Sequence, residues 1–216
     1  MEPFFFATIP VSLPRPAIYR RLGYRREATR LAADRRREIE QYLVAAQEMI
    51  DLQGTARRLT CRIEPPARVV VDEATVFESR NLARFLKEAG EVMLMGATGG
   101  AAIMEAIRSD MAGSEGNATR GVVLDAAASE IVDAALDWIM AYFRQLLRRE
   151  GKTLLNSRFS AGYGDFSLEN QHPIHQLLRM DRLGVAITPS CLMVPEKSVT
   201  AITGVITLQK NELPKN

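Results

Sequence analysis

Histidine, cysteine and tryptophan are scarce in this sequence, which holds two, two and one of them. The cysteines, Cys61 and Cys191, lie far apart, and neither belongs to a CxxC or Cys/His grouping. That excludes a disulfide framework and gives no sign of a zinc site; both read as reduced, buried thiols. A charge excess is lacking too. With 28 basic and 26 acidic residues the net charge is +2, too small to make nucleic acid the default partner. No apolar run approaches the roughly 20 residues of a membrane span. Phe4-Phe5-Phe6 hints at a secretory leader but has no basic flank before it and is followed by Pro10 and Pro14. The expectation is a cytoplasmic protein that neither spans a membrane nor binds nucleic acid.

What is present is ordinary globular material, 47% hydrophobic and 25% charged over 216 residues, enough for one buried core and too short for two comfortable domains. One domain over 1–216 is expected, with a proline-rich extended arm over 1–16 and a frayed polar tail over 210–216. Three-to-four spacing of apolar residues predicts helices over 17–22, 27–51, 79–89, 101–110 and 122–149, and from Ser167 to before Gly184. The helix over 122–149 carries the stripe Leu124, Ile131, Ala135, Ile139, Phe143 and Leu147, with Gly151 as its stop. Strands are expected over 58–63, 68–71, 92–95, 153–159, 185–193 and 198–208. Helices and strands do not alternate strictly, so the fold class is α+β, with a mixed or antiparallel twisted sheet packed against long helices.

Three segments invite a chemical reading and answer it weakly. Gly96-Ala97-Thr98-Gly99-Gly100 joins a strand to a helix but lacks the Lys-Ser/Thr ending of a Walker loop and the GxGxxG spacing, so it reads as a tight turn. His172 and His175 could share a helix face and hold a metal, yet two ligands do not make a site. From Arg15 to Arg37 there are nine arginines against two acids, a docking face for an acidic partner or simply a solvated helix.

The segment from Asn156 to Phe166 collects more. Arg158 offers a fork of donors matched to a carboxylate, Gly162 and Gly164 allow close backbone approach, and Tyr163 supplies a ring and a hydroxyl. The set fits an amino-acid carboxylate beside an aromatic base; on composition alone it fits a strand followed by a glycine turn and a core tyrosine equally well.

The string Arg158-Phe-Ser-Ala-Gly-Tyr163 resembles the Arg-x-x-x-Gly-Tyr signature of the activation domain of cobalamin-dependent methionine synthase. Leu168 to Gln171, Ile174 to Leu178, Leu183 to Thr188 and Met193 to Val199 continue the resemblance in order, and Ile18 to Tyr24 and Val122 to Asp133 look like the family's early segment and long central helix. The resemblance implies that fold and a cytoplasmic accessory component of a methyltransferase, serving methionine biosynthesis. Such a component binds S-adenosylmethionine for the reductive reactivation of cobalamin, with a flavodoxin- or ferredoxin-like electron donor. Carried over by position, Arg158 would hold the methionine carboxylate, while Ala161, Gly162 and Tyr163 would line the ligand. In the large enzymes Pro-Ala-Cys-Pro follows this string; here Gly164-Asp165-Phe166-Ser167 follows, a form similar to the family's short, separately encoded members. The family's acidic contact to the ligand amine matches no residue here.

No Asp-x-His-x-x-Gly corrinoid motif occurs, and no cysteine cluster for zinc. The resemblance therefore implies a stand-alone activation component meeting cobalamin on a partner, a corrinoid-binding methyltransferase subunit. The alternative is a non-catalytic interaction module docking to a corrinoid or redox partner through the Arg15 to Arg37 region.

Overall fold

A computed structural model describes residues 2–24, 31–112 and 116–208. In chain order the elements are β1 (Phe4–Phe6), α1 (Arg15–Arg21), α2 (Ala33–Met49), β2 (Gln53–Glu64), β3 (Arg68–Val71), β4 (Thr75–Glu78), α3 (Arg80–Phe85), β5 (Glu91–Thr98), α4 (Ala101–Met111), α5 (Ala118–Arg148), β6 (Lys152–Leu154), α6 (Gln171–Leu178), β7 (Ala186–Ile187), β8 (Met193–Val194) and β9 (Ser198–Thr207). Seven strands form one sheet in the order β4-β3-β2-β5-β9-β6, with β1 also paired to β2, and every pairing is antiparallel. The α+β expectation holds, and the sheet is antiparallel rather than mixed.

The period of two along β5 explains the layering. Met93, Met95 and Ala97 face a core shared with α2, α4 and α5, while Val92 and Leu94 face a second core shared with α3 and α6. All five are buried, as expected of a central strand covered on both faces. The first core is built on α5, a 31-residue helix about 46 Å long at 1.5 Å per residue. Ala126, Ala127 and Ala128 lie buried on it, and the Asn117 side chain caps its start by accepting from Arg120 N at 3.0 Å.

Four sequence expectations are corrected. The arm over 1–16 contains a strand, since Phe4, Phe5 and Phe6 pair with Ala56, Thr55 and Gly54; α1 begins at Arg15. The helix expected from Ser167 breaks into a 3-10 turn, Leu168–Asn170, then α6 and a second 3-10 turn, Met180–Leu183. Leu178 and Met180 are both fully buried in the second core, but two residues on a helix point about 200° apart. Arg179, at φ 53, reverses the chain and turns Met180 back inward. The strand expected over 185–193 folds on itself as the β7 and β8 hairpin, with Pro189 and Ser190 in the turn. In the glycine-rich segment, Gly96 to Thr98 belong to β5 and only Gly99-Gly100 form the turn. The helix expected over 27–51 is present as α2; residues 25–30 and the tail over 210–216 lie outside the described residues.

Candidate functional site

The sheet edge creates the site. Leu154 pairs with Val205 and the ladder resumes at Phe159 opposite Ile202, so four residues, 155–158, span a gap that two residues of β9 cover. The surplus bulges outward, as extra residues in one strand of an antiparallel pair do. Arg158 stands on this bulge and reaches α5, where Nη2 donates to Asp133 Oδ1 at 2.7 Å and Nη1 donates to Asp137 Oδ1. The Arg158 side chain is only 19% exposed, against 56% for Asp133 and 68% for Asp137. Burial works against the arginine's charge; the Asp133 hydrogen bond and the charges of both aspartates outweigh it and hold the guanidinium above its ordinary pKa.

After the bulge the chain is braced on every side. Phe159 exchanges two backbone hydrogen bonds with Ile202 at 2.8 Å, and Ser160 Oγ donates to Thr200 O at 2.8 Å. Gly162, at φ 91, donates its N–H to Phe166 O at 2.7 Å. Ala161 and Phe166 are buried in the second core, where the Phe166 ring meets Phe77 edge-on at 5.5 Å. Asp165 closes the turn over the start of α3: Ser79 Oγ donates to Oδ1 at 2.5 Å and Arg80 N donates to Oδ2 at 2.8 Å. The Ser79 bond, the largest influence, and those from Asn81 and Arg80 hold this carboxyl below its ordinary pKa. Tyr163 sits on this fixed turn with 69% of its surface exposed.

Arg158, Ala161, Gly162 and Tyr163 thus share one loop with distinct roles. Tyr163 is open to solvent, Ala161 is core, the Gly162 amide is engaged within the turn, and Arg158 is engaged by α5. Sequence reasoning missed Asp133 and Asp137. Their i, i+4 spacing on the polar edge of the long helix was a usable signal, but nothing in the chain order said that Arg158 would dock between them. It also missed Lys197, only 14% exposed and paired with Asp125 at 2.7 Å and Ser129 Oγ at 2.8 Å on the same helix.

The other candidates resolve into structure. His175 is buried and its Nε2 donates to Val185 O at 2.7 Å, and no group of three or more metal-ligating side chains occurs among the described residues. Gly99 N donates to Lys197 O at 2.8 Å, which makes the glycine turn a brace between β5 and β9. Both cysteines are buried and free, and burial pushes the Cys61 thiol up to about 11. In the basic region Arg15, Arg21 and Arg35 pair with Glu40, Glu130 and Glu38, while Arg25, Arg26 and Arg30 lie outside the described residues. A cavity of about 330 Å³ lies between Leu22, Tyr24, Ile39 and Val122, at the N-terminal end of α5, and none of the four expected site residues lines it. Among the described residues its wall carries one charged group, Arg35, already bound to Glu38; the Arg158 loop remains the better chemical candidate. No helix among the described residues is long and apolar enough to cross a membrane.

No protein-family model matches the chain, and no curated protein matches it. Among solved structures it is similar to one described as the crystal structure of the MetH reactivation domain bound to AdoHcy. The TM-score is 0.64 at 13% identity, covering 86% of this chain and 71% of that one. The two share a fold: a curled antiparallel sheet with helices packed on it.

Proposed function

We propose that this chain binds S-adenosylmethionine at the Arg158 loop and acts as the activation component of a cobalamin-dependent methionine synthase or related corrinoid methyltransferase, with the cobalamin carried by a partner subunit and the electron drawn from a flavodoxin- or ferredoxin-like donor. The observation that carries this reading is the braced turn that exposes Tyr163 on the same loop as Arg158, on a fold shared with a domain that was crystallised with AdoHcy.

The donor set suits the ligand's amino-acid end. A guanidinium recognises a carboxylate through two parallel bonds, and Arg158, held above its ordinary pKa, stays charged at every working pH. In the free chain that fork holds Asp133 and Asp137, so a ligand carboxylate binds by exchange, displacing the more exposed Asp137 first. Tyr163 offers an aromatic face to the adenine at low conformational cost, since its backbone is pinned through Gly162 and Asp165. Bound S-adenosylmethionine supplies an electrophilic methyl, and what these residues contribute is position, with no general acid or base required.

Calorimetric titration with S-adenosylmethionine tests the reading. Saturable binding by the chain is expected, weakened in Arg158→Ala by about 1.5 to 3 kcal/mol, the scale of a charge-assisted hydrogen bond. Unchanged affinity in the variant removes the site assignment.

A further inference from the structure

The bulge ahead of Arg158 is closed by side chains instead of by a strand. Leu155 N donates to Gly204 O at 2.9 Å, and the ladder is next complete at Phe159 and Ile202. The carbonyls of Leu155 and Ser157 fall in the gap, where a backbone acceptor still needs a donor. Thr203, fully buried on β9, donates from Oγ1 to Ser157 O at 2.8 Å. Arg144, on α5, donates from Nη2 to Leu155 O at 2.8 Å and forms no ion pair among the described residues. Asp133, Asp137 and Arg144 follow one another at steps of four and seven residues, which keeps them on one face of α5. The bulge therefore stands on that face at both ends, through Arg144 at Leu155 and through Arg158 at the two aspartates. With both guanidinia counted against both aspartates, the face is neutral. We infer that Arg144 is a positioning residue, which holds the bulge in place so that Arg158 can meet a ligand carboxylate.

The inference rests on the ligand proposed above, whose carboxylate draws Arg158 from Asp137. In the free chain the two tethers support each other, and either one keeps the bulge against α5. Binding loosens one of them. Once Arg158 has turned to the ligand, the Arg144 hydrogen bond still fixes where the bulge begins. Its loss therefore costs more in the complex than in the free chain, the condition for a residue to alter affinity and not stability alone. Without Arg144 the bulge must be ordered at the expense of binding, a cost of about tenfold in affinity. The tether needs a donor that reaches a carbonyl. A lysine ammonium can supply one, whereas the thioether chain of methionine cannot.

The experiment is calorimetric titration with S-adenosylmethionine of the unaltered chain, Arg144→Met, Arg158→Ala and the double variant, with Arg144→Lys as the conservative control. Thermal melts check folding. Should Arg144→Met be unfolded, Thr203→Val, which removes the donor to Ser157 O, is titrated in its place. Arg144→Met is expected to bind about tenfold more weakly, and Arg144→Lys nearly as well as the unaltered chain. The double variant should bind no more weakly than Arg158→Ala, because Arg144 acts through Arg158. Hydrogen exchange gives a second readout at the Leu155 and Phe159 amides, both bonded to β9. Arg144→Met should speed it more in the ligand-saturated protein than in the free one. A loss of affinity that persists in the Arg158→Ala background overturns the inference, since the residue then acts on the fold at large. Unchanged affinity and exchange in Arg144→Met, while Arg158→Ala weakens binding, overturn it as well. Both outcomes leave the proposed ligand standing. If the unaltered chain does not bind, or Arg158→Ala binds equally well, the ligand site itself is wrong and the inference falls with it.

Discussion

At the scale of single residues, the positions that matter most are those where two elements meet through one atom. Gly96 lies in the middle of β5, and a Cβ built there would run into Met180 Sδ and lie 3.3 Å from Leu178 Cδ1. Both neighbours are fully buried, so they cannot move aside freely. Gly96→Ala is expected to destabilise the fold by about 1 to 3 kcal/mol, the range for overpacking a well-filled core, measured by denaturant titration. An unchanged midpoint would mean that the turn at Arg179 yields. The sequence showed Gly96 only as part of a glycine-rich run and suggested a turn; its packing role depends on α6 returning across the sheet 80 residues later. Arg158 was legible as a chemically apt residue because its type and its neighbours announce it. Its partners were not, because an ion pair between positions 25 and 21 residues apart is a property of the docked surfaces.

At the scale of elements, Asp165 joins the Arg158 loop to α3. It receives hydrogen bonds from Ser79 Oγ, Arg80 N and Asn81 N, and Ser79 in turn accepts from Leu82 N at 3.0 Å. The helix start and the Tyr163 turn are one unit, in which a carboxylate at a helix N-terminus satisfies otherwise orphaned donors. Asp165→Ala is expected to lower the melting temperature and to speed hydrogen exchange at the Arg80 and Asn81 amides. Because this carboxyl's pKa is depressed on folding, its stabilisation is present above the ordinary carboxylate range and fades as the pH falls through the depressed value. The difference between the unaltered chain and Asp165→Ala should thus hold at neutral pH and narrow only in strong acid; a difference independent of pH would show that charge plays no part. The departure Gly164-Asp165-Phe166, visible in the sequence only as a change of motif, gains a reason here. Phe166 anchors the loop in the core, and Asp165 caps α3.

At the scale of the whole molecule, two cores share one sheet. Leu94 on one face of β5 and Met95 on the other are both fully buried, so the strand ties the α5 layer to the α3 and α6 layer. If the chain is one cooperative domain, as its length suggests, the layers unfold together. Fluorescence of Trp138, on α5 in the first layer, and far-ultraviolet circular dichroism should then give coincident denaturation curves. Leu94→Ala, a truncation in the second layer, should shift both curves equally, by about 2 to 5 kcal/mol of stability. Separated curves, or a shift confined to one probe, would divide the chain into two units.

The sequence by itself determined the class of fold and the presence of α3, α4, α5, β3, β5 and β9, because their apolar periods of 3.6 or 2 reflect local geometry that no distant contact needs to supply. It also singled out the loop from Asn156 to Phe166, whose role as a ligand site is the proposal made above. Only the tertiary structure decided the rest. It recruited Phe4–Phe6 as a strand, since a three-residue segment is stable only when a neighbour such as β2 satisfies its backbone. It broke the helix after Leu178 so that Met180 could be buried as well. It also set Arg158 between Asp133 and Asp137, because a two-residue surplus at the edge of β9 left that side chain facing α5. Propensity acts over a few residues, whereas burial and charge pairing act between surfaces, and those surfaces exist only once the chain has folded.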